Sequence, residues 1–177
     1  MTLVGTVRSP YEAALGGAFE TLPSEVRRAH VAPLVAVGTF DVDHGSHWIT
    51  PALVKLLNLP EAGRGQMVRL EVAAHGDELL WARRIGAVSL LTRQRAAGRR
   101  IVERVGLGTI VFDVAARDGA LVYQQCCLRV AGLPIPRFVA PLVNARVSAA
   151  ARGWHVEVRV TWRTHLVCRY AGKMAVA

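Results

Sequence analysis

The sequence predicts a mainly β (α+β) protein: a strongly curved antiparallel meander or open β-barrel of about nine strands, with N-terminal helices packed on it. Three observations lead there. From residue 34 onward nearly every segment alternates apolar and polar residues with the period of a strand. Short turn signals separate these segments, at Gly76-Asp77, Gly86, Gly98, Gly106 to Gly108 and Asp118-Gly119. Such connections are too short for parallel crossovers, so neighbouring strands must run antiparallel.

The elements follow in order. Ser9, Pro10 and Glu12 form a capping-box pattern with proline at the first helical position. Leu15, Phe19 and Leu22 continue at helical spacing, although Gly16-Gly17 weakens the interior. Ser24 is placed to cap a shorter turn running to His30, which completes a helical start over 9–30. "LVAVGTFDV" begins the sheet at residue 34, and Thr50-Pro51 opens a helix that Pro60 stops. "QMVRLEVAAH", "ELLWARRI", "VSLLTRQR", "RRIVERV", "GTIVFDVAA" and "ALVYQQCCLRV" then read as consecutive strands. In "WHVEVRVTWR", Trp154, Val156, Val158, Val160 and Trp162 share one face, and "HLVCRYAGKM" is its hairpin partner, taking the sheet to residue 174.

One segment breaks the pattern. "GLPIPRFVAPLV", residues 132–143, carries Pro134, Pro136 and Pro141 and suits neither a helix interior nor a central strand. It is nonetheless apolar, and reads as a stiff flap over the barrel mouth, with Asn144 to Ala151 as a short helix behind it. The plainer reading is a crossover that seals the core.

Length and composition fit one domain over 1–177, with 52% hydrophobic residues. No apolar run reaches the roughly 20 residues of a membrane-spanning helix. The start, "MTLVGTVRSPYE", has no leader-like pattern, so a cytoplasmic location is expected. The formal charge of +9 is not read as a nucleic-acid signature. Its cations are scattered, only "RQRAAGRR" clusters them, and no aromatic interleaves there for base stacking. Cys126, Cys127 and Cys168 form no C-x-x-C pair, and reduced thiols are expected.

The order of "ALGGAFETLPSEVRRAH", "WARRIG", "RRIVERVG", "GLPIPRFVAPL" and "RYAGKM" resembles the bacterial family called domain of unknown function 4166, from about residue 11 to residue 174. The resemblance implies the fold, and a protein that stands alone or partners oxidoreductase-like domains. It brings no catalytic residues. This chain has no Gly-rich dinucleotide fingerprint of its own, and no cofactor is expected.

Candidate site residues come from the strands. Trp81, Tyr123, Phe138, Trp154, Trp162 and Tyr170 are candidates to line a ligand cavity, with core packing as the plainer account. Arg83 shares a face with Trp81, and Glu103 lies two strands on. Buried together they would mark a site; the favoured reading is an ion pair on the outer face. With Tyr123 and His30 they are the candidate catalytic groups, although a helix-terminal histidine more often binds carbonyls. "DVDHGSH" (Asp41 to His47) holds metal-ligand types but lacks a convergent segment, so it reads as a polar loop and no metal is expected. The functional expectation is binding of a small, largely apolar organic molecule by a cofactor-free cyclase or isomerase of polyketide-like metabolism, which works by holding its substrate in a reactive fold. The alternative is a non-catalytic ligand-binding or accessory domain beside an oxidoreductase.

Overall fold

The structure, a computed structural model, describes residues 9–177. The reading of the N-terminus rests largely on residues 1–8, which lie outside the described residues. Helices α1 (Pro10–Leu15), α2 (Ser24–Arg28) and α3 (Thr50–Leu56) accompany eleven strands: β1 (Leu34–His44), β2 (Gly63–His75), β3 (Glu78–Ile85), β4 (Val88–Ala97), β5 (Arg100–Val105), β6 (Gly108–Arg117), β7 (Ala120–Val130), β8 (Leu133–Pro134), β9 (Pro141–Ala150), β10 (Gly153–Trp162) and β11 (His165–Val176).

The sheet closes. β1 to β7 form an up-and-down meander, β7 pairs with β9, and β9, β10 and β11 continue the meander back to β1. The two-residue β8 pairs only with β7, outside the ring. Closure removes the free edges that an open sheet of this size would leave. At the β1–β11 seam the backbones approach closely at Gly38 and Gly172. A Cβ on Gly172 would sit 1.9 Å from the Thr39 carbonyl oxygen, so no larger residue fits without moving a strand.

The alternation seen in the sequence is realised as inside and outside. Leu34, Ala36, Phe40 and Val42 of β1, Val68, Leu70 and Val72 of β2, and Trp154, Val158 and Val160 of β10 are buried. Asp118-Gly119 forms the expected tight hairpin, with φ of 50° and 68° at its two central residues.

Local chemistry changes several details. Ser9 caps α1 as expected, its Oγ accepting from the Tyr11 N–H, but α1 ends at Leu15 because Gly16 turns left-handed at φ 56°. A 3₁₀ turn over Gly16–Phe19 replaces the longer helix. Pro23, not Ser24, occupies the cap position of α2, and the Ser24 hydroxyl bonds Glu25 instead. Residues 144–150 are strand, not helix: they belong to β9, where small and β-branched side chains pair with β7 and β10. Cys126 is the unpaired residue of a bulge in β7, since Val111 faces Cys127 and Phe112 faces Gln125.

The strand directions define two ends. α1 and α2 close the lower end, where β1 begins; α1 packs on β4, β5 and β6, and α2 on β9 and β10. Tyr11, Phe19, Leu22, Val26 and Ala29 of this plug are buried against the barrel interior. At the upper end lie α3, the turns after β3, β5 and β10, and the Pro-rich segment.

That segment is a seam insertion. β7 and β9 pair only between residues 120–124 and 144–148, then part toward the upper rim. The Gln125 side chain spans the gap, donating to the Pro141 carbonyl at 2.9 Å and accepting from the Val143 N–H at 3.0 Å. Residues 131–140 fill the widening above it. Pro141 stands first in β9, where a missing N–H costs least. Ala140 is buried, whereas Phe138 and Val139 are exposed.

Candidate functional site

The inward faces of the barrel and the helical plug enclose a cavity of about 130 Å³. Its walls are mostly apolar, from Phe40, Leu70, Phe112, Val147, Val158 and Met174 among others. Into it project Tyr11 and His30 from the plug, Trp81 and Arg83 from β3, Gln94 from β4, Glu103 from β5, Tyr123 from β7 and Tyr170 from β11.

Two hydrogen-bonded arms join plug to barrel. His30 Nδ1 lies 2.7 Å from the Val26 carbonyl, which can only accept, so Nδ1 carries the proton. Nε2 is then the lone-pair nitrogen, and Tyr123 Oη, 2.6 Å away, donates to it. The His30 carbonyl in turn accepts from Ser9 Oγ at 2.7 Å, which ties the segment after α2 to the start of α1. In the second arm Tyr11 Oη donates to Gln94 Oε1 at 2.6 Å. The rings of Tyr11 and His30 meet edge to face with centroids 4.5 Å apart.

Burial sets the charge state of this group. It lowers the His30 imidazole to about 4, against the opposing pull of the Val26 hydrogen bond. It raises Tyr123 well above the ordinary phenol range, and the neighbouring Tyr11 hydroxyl adds to the effect. Tyr11 is raised for the same first reason. Tyr170 is pushed up to about 12 by burial, which the Arg83 charge partly offsets. The Tyr123 proton therefore stays on its oxygen. The pair is a neutral fixture, not an ionised acid and base.

Arg83 and Glu103 overturn the favoured expectation of an outer-face ion pair. Arg83 Nη1 and Glu103 Oε1 lie 2.9 Å apart inside the barrel, with side chains 24% and 12% exposed. β3 and β5 are both neighbours of β4, so equivalent inward positions on them converge across the curved wall. Burial alone would lower the Arg83 pKa, but the Glu103 carboxylate outweighs it and the net shift is upward. The Arg83 guanidinium also rests over the Trp81 ring, 4.8 Å from its centroid.

Of the four buried side-chain polar atoms without a partner among the described residues, two belong to the neighbouring strands β3 and β4. Trp81, which lines the cavity, is 7% exposed, yet its Nε1–H donates to no partner. Thr92, cross-strand from Trp81, likewise leaves Oγ1 without a partner. Such orphans are rare because each forgoes the hydrogen bond that water would give.

Of the residues singled out in the sequence, Trp81, Arg83, Glu103, Tyr123, Trp154, Tyr170 and His30 converge on this cavity. His30 also takes the plainer part expected of a helix-terminal histidine, since it bonds a carbonyl one turn back. Trp162 and Phe138 do not converge there. Trp162 sits at the upper rim, its Nε1 donating to the Val139 carbonyl at 3.0 Å, and Phe138 faces outward. Tyr11 and Gln94 were missed. Gln94 had a signal: in "VSLLTRQR" it shares parity with Leu90 and Thr92, which sets two polar residues on the inward face. Tyr11 had none beyond its place in the first turn of α1.

The "DVDHGSH" residues are otherwise engaged. Asp43 pairs with Arg64 at 2.9 Å, Asp41 Oδ1 accepts from the Gly65 N–H at 2.8 Å, and His44 Nε2 bonds the Pro60 carbonyl at 2.8 Å. Among the described residues no three metal-ligand side chains come together. No helix among them is long and apolar enough to cross a membrane.

No curated protein sequence matches the chain. Among solved structures it is similar to a secretory abundant heat soluble (SAHS) protein from Ramazzottius varieornatus, at 9% identity and a TM-score of 0.46, over 82% of this chain and 95% of that one. The family model described as "Domain of unknown function (DUF4166)" matches residues 22–174, and the chain belongs to that family.

Proposed function

We propose that the protein binds a small, largely apolar molecule bearing one hydrogen-bond acceptor, held inside the barrel. The observation that carries this reading is the partnerless Nε1–H of Trp81, a residue that lines a mostly apolar cavity. An acceptor such as a carbonyl or ether oxygen would satisfy it while the body of the molecule fills the apolar space. The ligand is compact. A cavity of about 130 Å³ is below the roughly 300–1,000 Å³ that drug-sized ligands occupy, and suits a single ring.

Size and charge state favour binding over catalysis. A polyketide-like chain folded for cyclisation would need an interior several-fold larger. The candidate bases are already engaged: the His30 lone pair accepts from Tyr123, and the Glu103 carboxylate pairs with Arg83. No feature of the interior speaks for an oxidoreductase partner.

Thermal-shift titration with matched pairs, cyclohexanone against cyclohexane and acetophenone against ethylbenzene, tests the reading. The ketones should raise the melting temperature of the wild type more than their hydrocarbons do, and Trp81→Phe should erase that difference. Equal shifts from ketone and hydrocarbon would reduce the site to an apolar void. No shift from any of the four would sink the proposal.

A further inference from the structure

We infer that the upper end of the barrel docks on an anionic lipid surface, independently of what the cavity holds. The two ends differ in what their connections present. The lower turns carry Gly76-Asp77, Gly98-Arg99, Asp118-Gly119 and Ala151-Arg152, the small or polar residues that tight turns prefer. The upper connections instead carry Trp48, Leu56, Leu107, Leu133 and Phe138, each between 68% and 80% exposed. None of these five belongs to the core. Leu107 shows the point most simply: it occupies the tip of a Gly-Leu turn between β5 and β6, where packing asks nothing of it.

These tips lie along one rim. The Ala131 N–H donates to the Leu107 carbonyl at 2.9 Å, which sets the β5–β6 turn beside the start of the Pro-rich segment. The far side of that segment reaches the β10–β11 turn, where Trp162 Nε1 bonds the Val139 carbonyl. His165, just past this turn, stacks on His47 with ring centroids 4.0 Å apart, and His47 adjoins Trp48. α3 then carries Leu56 around to Asn58, whose side chain bonds the Ser89 carbonyl at the start of β4.

Charge selects the partner. Lys55, Arg84, Arg104, Arg129, Arg137 and Arg163 are exposed on the same rim, and among the described residues none of them forms an ion pair. The acids there are Asp41 and Asp43, both held by Arg64, and Glu61. Separated apolar tips on three connections, ringed by cations, make a poor template for a flat protein interface. They suit a bilayer interface, where headgroups adjust to scattered cations and single aromatic and leucine side chains enter the acyl boundary.

Vesicle co-sedimentation tests this. The wild type should pellet with mixed phosphatidylcholine/phosphatidylglycerol vesicles, remain free with phosphatidylcholine alone, and release as salt rises. Trp48→Ser/Phe138→Ser and the charge-reversed Arg104→Glu/Arg129→Glu/Arg137→Glu should each weaken binding about tenfold or more. Arg99→Glu/Arg152→Glu, at the lower end, should bind like the wild type. Unchanged melting temperatures would show that the variants fold. The emission of Trp48, isolated by comparison with Trp48→Phe, should shift to the blue on anionic vesicles. Failure of the wild type to bind those vesicles would overturn the inference and leave the rim to a protein partner. Equal loss from both ends would overturn it too, because binding would then follow net charge alone.

Discussion

Tyr123 on β7 donates to His30 Nε2 across 2.6 Å, and the far nitrogen of the same ring bonds the Val26 carbonyl at 2.7 Å. The Val26 carbonyl therefore fixes the His30 tautomer, and the Tyr123 hydroxyl fastens the helical plug to the barrel wall. Tyr123→Phe removes the donor and leaves a buried Nε2 unpaired, at a cost of about 1–3 kcal/mol. Urea unfolding reads the loss. A double-mutant cycle with His30→Phe should show the two effects to be non-additive, since each variant breaks the same bond.

The buried imidazole gives stability a pH dependence of known sign. In the folded chain His30 titrates at about 4, below its ordinary value of 6.5. Between these values the unfolded chain binds the proton and the folded chain does not, so acidification favours unfolding. The contribution is complete above about pH 6.5 and falls away toward pH 4, by about 3 kcal/mol in all. Midpoints measured from pH 7 to pH 4 should fall accordingly. His30→Gln should flatten the profile in that window.

Arg83 and Glu103 attract each other inside the barrel, so removing one leaves the other's charge stranded. Glu103→Gln should destabilise by about 2 kcal/mol, less than the 3–5 of a fully enclosed pair because Arg83 keeps 24% of its side chain exposed. Arg83→Met combined with Glu103→Leu should recover most of that loss. Recovery would mean the pair is not kept for stability.

Gln125 holds the seam where β7 and β9 part. Gln125→Ala removes both of its bonds to β9 and should cost about 1–3 kcal/mol. Amide exchange should rise first at Val143, whose N–H loses its acceptor, while the β1–β11 seam stays protected.

How much of this was legible depends on the range of the interaction involved. Alternation in "WHVEVRVTWR" or "ELLWARRI" is a property of neighbouring residues, so the strands, the residues that share a face and the Asp118-Gly119 hairpin could be read directly, whereas which face turns inward could not. The Ser9 cap and the stop before Pro60 are equally local. Residues 144–150 were misread because small residues such as Ala145, Ala149 and Ala150 suit a helix, and only pairing with β7 and β10 makes them a strand.

The sequence by itself determined a strongly curved antiparallel sheet, the residues that share each face of a strand, and most of the aromatic residues that meet inside; closure, and which face of a strand such as β3 turns inward, came from the tertiary structure. Tertiary structure alone decided the site. Which inward positions converge depends on curvature and closure, and these bring Arg83 to Glu103 across an intervening strand and His30 to Tyr123 across 93 positions of chain. Closure also decided that Phe138 faces solvent. The parting of β7 and β9 needed a filler at the rim, and a segment stiffened by prolines supplies one with its apolar side chains turned outward.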